Sequence, residues 1–155
     1  MNEVTEERRH LIFERRPAPV LVEHRPLYKI CQVLLVLQLA SRAGRSKLPR
    51  LHLFNWALKS SARRDQLVTA SKEKVLQVTA WGFDPALAIA IRYAIAERLV
   101  RETSTGYELT DEGALLAKDV MKLTDVFVAE KSALLAIGKG ITEGMVEDVA
   151  NGWEA

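Results

Sequence analysis

A mainly α-helical fold with one small β-hairpin is what this 155-residue sequence predicts. Three observations lead there. The stretch AERLVRETSTGYELTDEGALL, Ala96 to Leu116, passes from a helical apolar pattern through turn residues and a short alternating run into a new helix start. The run from Ile30 to Ala40 is almost wholly apolar, as a covered helix is. Asp84-Pro85 sets an N-cap residue directly before proline at the first helical position. Helix, hairpin, helix is the order of a winged-helix domain, which we assign to residues 26–124. An N-terminal arm at 1–25 and a C-terminal helical extension at 125–155 flank it.

Element by element, Pro17 and Pro19 and the segment Leu11-Ile12-Phe13 read as an arm or edge strand. Pro26 suits a first helical turn, and Tyr28, Cys31, Leu34, Leu35 and Leu39 share one face of a helix expected to end near Gly44. Val33, Val36 and Leu37 make its other face apolar too, so this helix should be central to the domain or to a dimer. A second helix is expected from Leu48-Pro49 through Leu58, and a third from Ser61 to about Thr69. The stretch Val75 to Trp81 reads equally as strand or extended connector. From Asp84 a helix carries Leu87, Ile91, Ala94, Ile95 and Leu99 on one face, with Leu99 and Val100 closing it. Ser104, Thr105 and Gly106 supply the turn, and Tyr107 and Leu109 alternate with Glu108. Thr110 or Asp111 then caps a helix to about Thr124 built on Leu115, Leu116, Val120 and Leu123. Two more helices, broken around Gly138 and Gly140, complete the tail.

The composition, 48% hydrophobic, supports a buried core. It argues against most chemistry. Cys31, the one cysteine, sits in an apolar helix where thiols are inert, and His10, His24 and His52 lack metal-ligand spacing. Gly138-Lys139-Gly140 follows a helix and lacks phosphate-loop spacing. No enzyme activity, metal or cofactor is therefore expected. The longest apolar run falls short of the roughly 20 residues that span a bilayer. With a charged N-terminus and no signal-like segment, a cytoplasmic protein is expected.

The net charge of +2 hides an asymmetry. Between His24 and Arg64 there is no acidic residue, while Arg25, Lys29, Arg42, Arg45, Lys47, Arg50, Lys59, Arg63 and Arg64 are basic. The compensating carboxylates lie mostly after Arg101. Such a segment serves nucleic acid, an acidic partner, or the chain's own acidic tail. As nucleic-acid contacts the sequence nominates Arg42, Arg45, Lys47 and Arg50 around the Gly44 turn, extended by Lys59, Arg63 and Arg64. A helix that reads bases offers arginine, lysine, asparagine or glutamine to the major groove. Here DPALAIAIRYAIAER offers only Arg92 and Arg98, and the hairpin tip carries no cation. Any DNA contact should then be to phosphates and indifferent to sequence.

The strings LVLQLASRAGRSKLPRLHLFNWALKS, FDPALAIAIRYAIAERLV, GYELTDEGALLAKDVM and IGKGITEGMVEDV, in this order, resemble the middle component of bacterial three-component ABC-ATPase systems. Those are small winged-helix partners of an SMC-like ATPase, as in Lamassu-type anti-phage defence. The resemblance covers about Pro26 to Val149 and implies a non-catalytic accessory subunit that assembles with an SMC-like ATPase and an effector subunit. A dimeric winged-helix transcription regulator is the alternative, and an adaptor or antitoxin-like protein a third. Uncovered apolar surface makes Leu11, Ile12, Phe13 and Tyr107 the expected partner-binding residues, in a homodimer or hetero-oligomer.

Overall fold

The computed structural model describes residues 25–153, so the expected arm, with Leu11, Ile12 and Phe13, lies outside the described residues. Among these, seven helices and a small antiparallel sheet follow in order. They are α1 (Pro26–Leu39), β1 (Arg45–Ser46), α2 (Leu48–Ala57), α3 (Ser61–Glu73), α4 (Pro85–Ala96), β2 (Val100–Glu102), β3 (Tyr107–Leu109), α5 (Asp111–Lys122), α6 (Val128–Ile137) and α7 (Glu143–Gly152). No described helix is long and apolar enough to cross a membrane.

α1 is the hub. Every residue from Lys29 to Leu37 is buried, because α2, α4, α5 and α6 all pack around it. Its apolar circumference is thus accounted for within one chain. The helix stops at Leu39, five residues before the expected Gly44. Ser41 Oγ donates to the Val36 carbonyl at 2.9 Å, and the chain then passes through a 3-10 turn at Arg42–Gly44 with Ala43 and Gly44 both left-handed.

Proline stands in the first turn of α1, α2 and α4, where its missing N–H costs no helical bond. Asp84 caps α4 by accepting from the Ala86 amide at 3.0 Å, and Thr110 caps α5 by accepting from the Gly113 amide at 3.0 Å. α4 ends at Ala96, short of the expected Leu99. Val100 belongs to β2, because Arg98 turns the chain with a φ of 60°. The ambiguous stretch after α3 is an extended connector. Leu115 and Leu123 point to solvent, and α5 buries its small side, Gly113, Ala117 and Val120, against the core.

The sheet order is β1–β3–β2, with β3 central. β1 was not legible as a strand, being two residues long. In register, Arg45 faces Glu108 and Ser46 faces Tyr107, while Arg101 faces Glu108 from the other side. The hairpin closes with Thr103 N–H on the Gly106 carbonyl and Gly106 N–H on Thr103 Oγ1. A side chain at Gly106 would lie 2.5 Å from the Ser46 carbonyl oxygen, so only glycine lets the hairpin approach the β1–α2 junction. After α7, Trp153 Nε1 donates to the Thr79 carbonyl at 2.5 Å, and its ring meets Trp81 edge-on with centroids 4.7 Å apart. Trp81 in turn donates to the Pro49 carbonyl, fastening the connector to α2.

Candidate functional site

The seven nominated cations fall into two groups at opposite ends of α2, whose ten residues separate them by about 15 Å. At its C-terminal end, Lys59 Nζ lies 3.4 Å from Asp84 Oδ2. Arg63 covers the Trp56 ring at 4.7 Å, and Arg64 donates to the Leu58 carbonyl at 3.0 Å. Each of the three is engaged with its own neighbourhood.

At the N-terminal end, Arg42, Arg45 and Lys47 line a groove of about 450 Å³ that runs along the hairpin past Thr103, Ser104 and Tyr107. Arg45 Nε is 2.8 Å from Glu108 Oε2, and Arg101 holds the other carboxylate oxygen at 3.0 Å. Lys47 pairs with Glu147 on α7, and that hydrogen bond raises its ammonium pKa. Its backbone N–H donates to Glu143 Oε1 at 2.9 Å. Arg42 is exposed and forms no ion pair among the described residues. The acidic tail therefore meets the basic segment within this chain.

Arg50 corrects the sequence reading. Its residue is 3% exposed, and its guanidinium donates to the Ile141 carbonyl at 2.8 Å, Ser41 Oγ at 2.8 Å and the Ala40 carbonyl. Those acceptors tie the C-terminal end of α1 to the loop before α7. Burial lowers the Arg50 pKa to about 10. It is a structural staple whose donors are held by protein acceptors. Tyr107 is half-buried on β3.

A second polar cluster, which the sequence did not point to, joins α1, α2 and the start of α4. Lys29, 1% exposed, donates to Asn55 Oδ1 at 2.6 Å and lies 3.4 Å from Asp84 Oδ2, to which Asn55 Nδ2 also donates at 3.0 Å. Burial pushes the Asp84 carboxyl up, but the hydrogen bonds from Asn55 and the Ala86 amide, with the Lys29 and Lys59 charges, outweigh it. The carboxyl is held well below the usual carboxylate range. His52 Nδ1 accepts from the Asp84 amide at 3.4 Å, and burial lowers its pKa against the pull of Asp84. Built from mutually satisfied groups of α1, α2 and the start of α4, this cluster is an internal lock that orients α4.

α4 displays outward Ile89 and Tyr93, 49% and 52% exposed, one helical turn apart, with Phe83 also exposed just before the helix. Arg92 is the one cation among its twelve residues. Comparison with protein-family models, curated proteins and solved structures finds no match for this chain.

Proposed function

We propose that this chain is a non-catalytic, winged-helix accessory subunit of an SMC-like ABC ATPase complex in anti-phage or anti-plasmid defence. On this reading it bridges ATPase and effector and touches DNA only through phosphates. The sheet order β1–β3–β2, with α4 leading into the hairpin, supports the winged-helix assignment. α3 and the long connector between α3 and α4 are a departure from the minimal pattern.

The observation that carries the functional reading is the outward face of α4. In a DNA reader this face bears donors and acceptors for base edges. Here it bears Ile89 and Tyr93, and aromatic and aliphatic groups at helical spacing suit a protein groove. The paired state of Arg45 and Lys47 supports weak, positional contact with phosphates over tight binding.

The test is co-expression of the tagged chain with the products of the genes on either side of its own. A stoichiometric complex with a coiled-coil ATPase that survives high salt, and is lost in the I89D/Y93D variant, is the expected result. A tight footprint on one operator sequence at physiological salt, without an ATPase partner, favours the dimeric regulator and overturns the proposal.

A further inference from the structure

Beside the hairpin groove lies a smaller cavity of about 270 Å³, walled by the 3-10 turn, β1 and the first turn of α7. Four cations line it, Arg42, Arg45, Arg50 and Lys139, against a single carboxylate, Glu143. Arg45 is paired with Glu108 and the Glu143 Oε1 accepts the Lys47 amide at 2.9 Å, which leaves the charges of Arg42, Arg50 and Lys139 facing that of Glu143.

The floor of the cavity is what distinguishes it from an ordinary basic surface. Arg50 is buried, and its named acceptors are carbonyl and hydroxyl oxygens of Ile141, Ala40, Ser41 and Ser46. Its hydrogen bonds all go to neutral oxygens, and among the described residues no carboxylate forms a salt bridge with it, although Glu143 on the same cavity partly offsets its charge. A charge fixed in low-dielectric surroundings is felt further than one in water. Arg42 and Lys139 stand at the rim, both exposed and neither in an ion pair among the described residues. Gly144 leaves the wall open, because a side chain there would meet only Thr142 Oγ1 at 3.9 Å.

We propose that this cavity binds a phosphate group, with Arg42 and Lys139 as its direct ligands and the buried Arg50 charge as its electrostatic floor. At about 270 Å³ it falls below the roughly 300–1,000 Å³ of sites that enclose a whole small molecule. The phosphate enters while the group carrying it stays outside. That requirement is met by a nucleic-acid backbone or by the terminal phosphate of a free nucleotide. The inference deepens the phosphate contact proposed above, yet it is independent of ATPase docking.

The experiment is an amide NMR titration of the full chain at constant ionic strength with inorganic phosphate, a nucleoside monophosphate and a short DNA duplex. Inorganic phosphate is expected to shift the amides of residues 42–45 and 140–145 saturably. The R42A/K139A variant should bind about tenfold more weakly or worse, from losing two charge-assisted contacts. K118A/K122A, exposed on α5 and outside the cavity lining, should bind as the parent does. A duplex that displaces inorganic phosphate identifies the backbone as source, and one that leaves it bound identifies the small molecule. The latter upholds the cavity while removing the DNA contact from the proposed function. Loss of ATPase co-purification in I89D/Y93D tests docking separately. If R42A/K139A fails to fold, the single K139Q change at an exposed position serves, with a weakening of about threefold. Absence of a saturable shift at these amides, or equal binding by the cavity variant, overturns the assignment.

Discussion

Two charged side chains that look ordinary in the sequence decide how the molecule is locked. Arg50 serves four acceptors with one rigid fork. Arg50→Ala leaves buried carbonyls without donors and should cost about 3 kcal/mol in urea unfolding. Arg50→Lys should restore little, since an ammonium cannot reproduce the fork. Asp84 predicts a pH dependence. Its folded pKa is depressed, so its contribution is present above its unfolded value of about 3.9 and is lost as pH falls through that value towards the lower folded one. Asp84→Asn should weaken the protein near neutrality by about 1–3 kcal/mol and by less in acid, which a series of urea titrations across pH will show. Nothing in the sequence separates Arg50 from Arg42, because exposure is set by where α6 and α7 land. The loop between them, whose Ile141 carbonyl accepts from Arg50, closes over it only in the folded chain. The basic segment was legible as a segment, but not which of its members face water.

Among the elements, the helices were the legible part. Asp84-Pro85, Thr110 and the glycine breaks announce their ends chemically, and α4 and α5 start where those signals stand. β1 was invisible because two residues carry no periodicity; its pairing depends on the hairpin arriving alongside. α5 was read in part: Leu116 and Val120 do pack on the core, but Leu115 and Leu123 do not. Its leucines at 115 and 123 suggested an apolar stripe, but the approach to the core is too close for them, and the helix turns its small residues inward. Gly113 measures that closeness, since a Cβ there would sit 2.0 Å from the Leu99 carbonyl oxygen. Helix propensity alone predicts that Gly113→Ala stabilises by about 1 kcal/mol. The contact predicts the opposite sign, a loss of about 2 kcal/mol or more with α5 displaced from β2. Thermal unfolding of this one variant separates the two effects.

At the scale of the whole molecule, the charge asymmetry of the sequence is partly consumed by folding. Lys47 meets Glu147 across about a hundred residues of sequence, and Arg45 and Arg101 share Glu108. Arg42, Arg63, Arg64 and Lys139 form no ion pair among the described residues and remain for a polyanion. Duplex binding should therefore fall with salt with a log–log slope of only about −2 to −4, and R42A/K139A should flatten it by about 2, as read by fluorescence anisotropy across a salt series. A steep slope would mean that the internal pairs open on DNA.

The contact of Trp153 with Trp81 has an optical consequence. Two indoles with ring centroids 4.7 Å apart exchange excitation, so together they give a paired circular-dichroism band that neither gives alone. One partner follows α7 and the other lies in the connector ahead of α4. The band is a built-in, label-free gauge of whether those two distant stretches are joined. It should vanish in Trp153→Phe and in urea too dilute to disturb the helical signal. Binding at the α4 face that pulls on the connector would dim it in real time.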